Sequence, residues 1–147
     1  MNVGDKIPDF SLKDYDEETV TREDLTGSRF VLYFYPKDDT PGCTKEACEF
    51  RDALDTFDEL DTLVIGVSPD SIASHKKFVE KHKLDFSLLS DEKKEMAKAF
   101  GVLKEDGSII RSTFLCDKDG TIMWIEKPVN VEDHVTRVMD AIDEVFS

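Results

Sequence analysis

The stretch Phe30-Val31-Leu32-Tyr33-Phe34-Tyr35-Pro36-Lys37-Asp38-Asp39-Thr40-Pro41-Gly42-Cys43-Thr44-Lys45-Glu46-Ala47-Cys48 decides how the chain of 147 residues is read. It opens on a near-continuous apolar run of β-forming residues ended by Pro36, the pattern of a strand buried on both faces. Cys43, Ala47, Phe50, Leu54 and Phe57 then recur at spacings of 4, 3, 4 and 3, which predicts one helix with a single apolar stripe. Thr62-Leu63-Val64-Ile65-Gly66-Val67 repeats the buried-strand pattern. Strand, helix and strand in this order imply a parallel βαβ unit with a right-handed crossover.

Working outward, the first 28 residues alternate weakly, with Phe10 and Leu12, then Val20 and Leu25, and read as a hairpin-like lead-in. A helix follows Asp70, with Ile72, His75, Val79 and His82 on one face, and Ser90 or Asp91 caps a short helix ending near Phe100-Gly101. Ile109 to Asp117 and Thr121 to Lys127 are strand-like runs joined by Lys118-Asp119-Gly120, and Asp-Gly between such runs predicts a tight antiparallel turn. The last helix is expected from the N-cap Asn130, with Val131, Val135, Val138, Ile142 and Val145 on its stripe. The whole reads as an α/β fold of thioredoxin-like outline: a central mixed sheet flanked by helices, with an N-terminal hairpin. No repeat, low-complexity tract or linker interrupts it, so a single domain over 1–147 is expected.

Composition limits the partners. The formal net charge is −14, which argues against nucleic acid and anionic membranes, since both are bound through clustered Lys and Arg. No apolar run approaches the ~20 residues of a membrane span, and Met1-Asn2-Val3-Gly4-Asp5-Lys6 lacks an apolar signal core. A cytoplasmic location is therefore expected. The cysteines are Cys43, Cys48 and Cys116, too few for a disulfide scaffold and, in a reducing compartment, more often catalytic, metal-binding or buried.

The chemistry lies in Pro36–Cys48, at the carboxyl end of a buried strand, where open α/β sheets place their sites. Cys43 falls in the first helical turn, where free N–H groups and the helix dipole favour a thiolate; the other reading is a structural cysteine on an apolar stripe. From Pro36 to Arg51 the cations are Lys37, Lys45 and Arg51 against Asp38, Asp39, Glu46 and Glu49, so an activated thiolate needs a further cation delivered by the fold. Five residues along a helix place the Cα atoms of Cys43 and Cys48 roughly 8.6 Å apart, beyond the ~7 Å a disulfide tolerates. A redox pair at these positions requires the helix to unwind.

The P-x-x-x-T-x-x-C pattern of Pro36, Thr40 and Cys43, within the run Thr40 to Asp52, closely resembles the peroxiredoxins, in particular the bacterioferritin comigratory protein or peroxiredoxin Q class. The likeness extends from Gly4-Asp5 and Pro8-Asp9-Phe10 to the final helix. It implies a cofactor-free, metal-free thiol peroxidase in antioxidant defence, acting on hydrogen peroxide and organic hydroperoxides. Cys43 would be the peroxidatic cysteine and Cys48 the resolving one, their intramolecular disulfide being reduced by thioredoxin or a similar dithiol. It also implies that the Thr40 hydroxyl and the backbone near Gly42 and Cys43 meet the peroxide, that Pro36 and Pro41 shield and shape the loop, and that Arg111 is the missing cation, with Glu46 able to orient it. Cys116 has no matching redox role and is expected in the core. The class favours a monomer, with dimers known more widely.

Other readings are weaker. A disulfide reductase would carry C-x-x-C, and a copper-chaperone-like module C-x-x-x-C with a distant histidine. His75, His82 and His134 all fall on expected helices, as ordinary helix histidines do. A non-catalytic interaction domain would require the Pro36–Cys48 match to be accidental.

Overall fold

The computed structural model describes residues 1–146. A short hairpin, β1 (Ser11–Asp14) and β2 (Thr19–Thr21), leads through α1 (Arg22–Leu25) into β3 (Arg29–Phe34). Next come α2 (Pro41–Asp52), α3 (Leu54–Glu59), β4 (Thr62–Ser68), α4 (Ile72–His82), β5 (Ser87–Ser90) and α5 (Glu95–Ala99). The chain ends with β6 (Ser112–Cys116), β7 (Ile122–Glu126) and α6 (His134–Phe146). The strands form one seven-stranded sheet in the order β2-β1-β5-β4-β3-β6-β7. β3 pairs in parallel with β4 and β4 with β5, and the other pairs are antiparallel.

The apolar run before Pro36 is buried on both faces, as its composition predicts. Val31, Tyr33 and Tyr35 point to a core shared with α2, α3, α4 and α6, while Phe30, Leu32 and Phe34 face a second core closed by α1 and α5. Between β3 and β5, Gly66 leaves room for two large neighbours. A Cβ there would lie 2.7 Å from Leu88 Cδ2 and 2.9 Å from the Tyr33 ring, so the strand position beside Tyr33 admits glycine alone without repacking.

Three expectations are corrected and one element is added. The stripe from Cys43 to Phe57 is carried by two helices, because Ala53 (φ −100°, ψ 2°) breaks the helix between Asp52 and Leu54 while Phe50 and Phe57 stay buried. Ser87–Ser90 is a strand; its Ser-Leu-Leu-Ser sequence has little β preference of its own, and it forms because β4 and β1 offer edges on either side. Ordered pairing in β6 begins at Ser112, Ile109 making only an isolated bridge with Leu103. Finally, α6 starts at His134: Asn130 Oδ1 accepts from the Glu132 N–H in a local turn, and Asp133 (φ 58°) sits in the left-handed region before the helix begins.

The loop after β3 is pinned from below by a buried polar network. Asp38 accepts from the Tyr35 hydroxyl (2.6 Å) and the Ser74 hydroxyl (2.9 Å), and its Oδ2 lies 2.7 Å from His75 Nδ1. The other nitrogen of His75 is 3.0 Å from the Leu89 carbonyl, and the Asp38 N–H donates to Asp70 Oδ2 at 2.8 Å. Asp38, Asp70 and His75 could by proximity hold a metal ion. Their facing atoms are instead engaged with one another and with Tyr35, Ser68 and Ser74. The network ties the segment that carries Thr40 and Cys43 to α4 and β5.

Two outcomes are expected. His75→Leu strips Asp38 of a buried partner and lowers unfolding free energy by about 1–3 kcal/mol, measurable by urea denaturation. Cys116 is fully buried among the residues behind β3, and burial pushes its thiol up to about 12. In native protein at pH 8 it therefore stays unlabelled by an alkylating reagent that modifies it fully in denaturant.

Candidate active site

β3 ends against the loop, and the loop delivers Pro41 to the first position of α2. There its missing N–H is no loss and its fixed φ suits the helix. The first intrahelical bond runs from the Thr44 N–H to the Thr40 carbonyl at 2.8 Å. Gly42 and Cys43 thus lie in the turn whose amides have no intrahelical acceptor, and the positive end of the helix dipole sits under the thiol. Cys43 itself is buried, 1% exposed, on the stripe that packs α2 against the sheet.

The cation missing from the local sequence comes from the strand side. Arg111, just before β6, donates from Nη2 to Cys43 Sγ at 3.1 Å and from Nη1 to Glu46 Oε1 at 2.9 Å. Its side chain is 18% exposed and that of Glu46 is fully buried. Burial opposes the charge of Arg111, but the negative charges of Glu46 and Cys43 outweigh it and raise the guanidinium pKa. The planar fork of arginine reaches both partners at once, which a lysine ammonium cannot do with the same geometry. Gly42 lies alongside: a Cβ there would meet Arg111 Nη2 at 3.4 Å, an ordinary contact.

The remaining residues singled out in the sequence are distributed as follows. The Thr40 hydroxyl donates to the Lys37 carbonyl at 3.1 Å, within its own loop. Pro36 and Pro41 are exposed on that loop. Cys48 is half-buried and Cys43 buried, both as free thiols on an intact α2. The separation implied by five helical residues, roughly 8.6 Å between Cα atoms, therefore holds in the folded protein.

Sequence reasoning missed the layer beneath. Glu46 Oε2 lies 3.0 Å from His134 Nδ1, although the two are out of hydrogen-bond alignment and neither atom has another partner. His134 Nε2 lies 2.8 Å from the Thr113 hydroxyl. The Tyr33 hydroxyl is also buried without a partner, and burial, then the charges of Glu46 and Cys43, push its pKa well up. One signal in the sequence pointed to His134: it stands three residues after Val131 and four before Val138, inside the apolar stripe, where a solvated histidine has no place.

Comparison with known proteins places this geometry. The AhpC/TSA family matches residues 3–125. Peroxiredoxin Bcp of Bacillus subtilis is 47% identical, over 99% of this chain and 97% of its own length. The structure of Xylella fastidiosa PrxQ superposes with a TM-score of 0.95 at 35% identity, covering 100% of this chain and 98% of that one. The Xanthomonas campestris bacterioferritin comigratory protein, described for its alkyl peroxide reduction activity, superposes with a TM-score of 0.88 at 34% identity, covering 92% and 90%. Identity of this order over whole chains, together with a thioredoxin-like sheet that sets a cysteine at the head of a helix, leads to one conclusion: the chain is a peroxiredoxin of the AhpC/TSA family, in the Bcp and peroxiredoxin Q class, and hence a peroxidase.

Proposed function

We propose that the protein reduces hydrogen peroxide and organic hydroperoxides at Cys43, with Cys48 as the resolving cysteine and a thioredoxin-like dithiol as reductant. The observation that carries this reading is the 3.1 Å contact of Arg111 Nη2 with Cys43 Sγ at the first turn of α2. A buried thiol held against a guanidinium and free helix amides is an anion site with a nucleophile in it.

In the first step the Cys43 thiolate attacks one peroxide oxygen. The O–O bond breaks with its electron pair on the departing oxygen, which takes a proton and leaves as water or alcohol, while sulfur becomes a sulfenic acid. Arg111 and the N–H groups of Gly42 and Cys43 stabilise charge on the sulfur and on the departing oxygen. Thr40, at the N-cap, rests its hydroxyl on the Lys37 carbonyl in the free protein and would turn it to the peroxide. In the second step the Cys48 sulfur displaces hydroxide from the Cys43 sulfenic acid, which leaves as water and forms the disulfide. The first turns of α2 must unwind for the two sulfurs to meet. Thiol–disulfide exchange with the dithiol then restores both thiols. No metal or cofactor enters these steps. We further propose a single domain over 1–147, acting as a cytoplasmic monomer; no helix among the described residues is long and apolar enough to cross a membrane.

Intact mass and thiol counting after one equivalent of hydrogen peroxide test the mechanism. The wild type is expected to lose two thiols and about 2 Da, and Cys48→Ser to gain about 16 Da at Cys43. A Cys43 that stays reduced would end the reading. Replacing the guanidinium in Arg111→Lys removes a charge-assisted hydrogen bond of about 1.5–3 kcal/mol. The second-order rate of Cys43 oxidation, followed by stopped-flow fluorescence of Trp124, is expected to fall about 10–100-fold.

A further inference from the structure

The buried cluster around Glu46 has an unbalanced charge count. With Cys43 as a thiol, Arg111 and Glu46 cancel. With Cys43 as a thiolate, one guanidinium faces two anions, Cys43 Sγ at 3.1 Å and Glu46 Oε1 at 2.9 Å. Glu46 and His134 are both fully buried, so solvent does little to offset the excess negative charge.

His134 is built to supply the balance. Its Nδ1 faces a carboxylate oxygen 3.0 Å away, a neighbour that favours a proton on this nitrogen. Its Nε2 faces the Thr113 hydroxyl at 2.8 Å, a group that can donate or accept. The neutral ring accepts from Thr113 and the charged ring donates to it, so His134 can change charge with no partner lost and no side chain displaced. Its ring stands perpendicular to that of Phe50, at 5.5 Å between centroids and 89° between planes.

The other charged and titratable groups around it are paired, neutral or exposed to solvent. On α2, Lys45 is paired with Glu132 at 2.5 Å, and on α6 Arg137 is paired with Glu126 of β7 at 2.6 Å. Asp133 precedes His134 on the exposed side. Tyr33 of β3 is held protonated by burial and by the charges of Glu46 and Cys43.

We propose that His134 is a positioning residue whose positive charge and the negative charge of Cys43 stabilise each other through Glu46 and Arg111. A charged His134 draws on Glu46 Oε2, which frees more of the Arg111 guanidinium for sulfur. By reciprocity, a thiolate at Cys43 favours the proton on His134 to the same degree, and conversion of Cys43 to a neutral sulfenic acid or disulfide releases it. The importance of this for catalysis rests on the proposed role of Cys43, but its test does not.

The experiment has two arms, neither needing turnover. In a chain carrying Cys48→Ser and Cys116→Ser, leaving one thiol, the pH at which Cys43 gains half its thiolate ultraviolet absorbance is measured with His134 present and in His134→Gln. Glutamine keeps a donor toward Glu46 but carries no charge, and the midpoint is expected to rise by about one pH unit, tenfold less thiolate on the low-pH side. In the other arm, imidazole nuclear magnetic resonance follows the titration of His134 in the wild type and in Cys43→Ser. Its midpoint is expected to fall by a similar amount when sulfur is replaced by a neutral hydroxyl. A histidine serving only as packing leaves both midpoints where they were, and that result overturns the proposal. Should His134→Gln fail to fold, the second arm decides alone. Loss of peroxide reduction with both shifts intact would count against the peroxidase reading and leave the coupling standing.

Discussion

The Arg111 guanidinium spans Cys43 Sγ and Glu46 Oε1, and most of the architecture serves to put it there. A thiol that is 1% exposed has almost no water to stabilise its anion, so it can ionise only against charge already in place. The helix amides provide part of that charge and the guanidinium the rest. Arg111 reaches across from the strand side of the sheet because β6 pairs antiparallel with β3, from Phe34 opposite Ser112 to Phe30 opposite Cys116. This register fixes the end of β6 beside the loop that opens α2. Glu46, one turn into the helix, completes the clamp from the other side.

The same helix has opposing duties. Intact, α2 presents Cys43 to Arg111 and keeps Cys48 out of reach; the proposed disulfide requires it to unwind. Its flanks are anchored accordingly. The loop before it is held by Asp38, His75 and Ser74, and its C-terminal turn by Arg51, whose Nη1 donates to the His82 carbonyl at 2.6 Å. Ala53 ends the helix immediately afterwards. Between these anchors the inner face of α2 is packed through Cys43, Ala47 and Phe50 and clamped by Arg111, while its outer face carries the surface pair Lys45–Glu132, worth at most about 1 kcal/mol.

Much of this was legible in the chain. The β3 run, the α2 stripe, β4 and the turn at Asp119-Gly120 follow from periodicity and turn chemistry, and Cys43 at a helix start follows from Thr40-Pro41-Gly42. Elements whose identity depends on neighbours were not legible. Ser87–Ser90 has no strong preference and becomes a strand between β4 and β1. The break at Ala53 and the late start of α6 at His134 are backbone choices made by packing, at residues whose side chains tolerate either outcome.

The sequence alone determined the central strand–helix–strand unit and placed both cysteines on one helix, because these depend on short-range spacing and local propensity, and its Pro36, Thr40 and Cys43 motif carried the likeness to the family. Only the tertiary structure decided the electrostatics. Arg111 lies 68 residues from Cys43 and 65 from Glu46, and His134 lies far along the chain from both. Separations of that length carry no periodic signal, and which charges meet inside the protein is set by sheet register and helix packing.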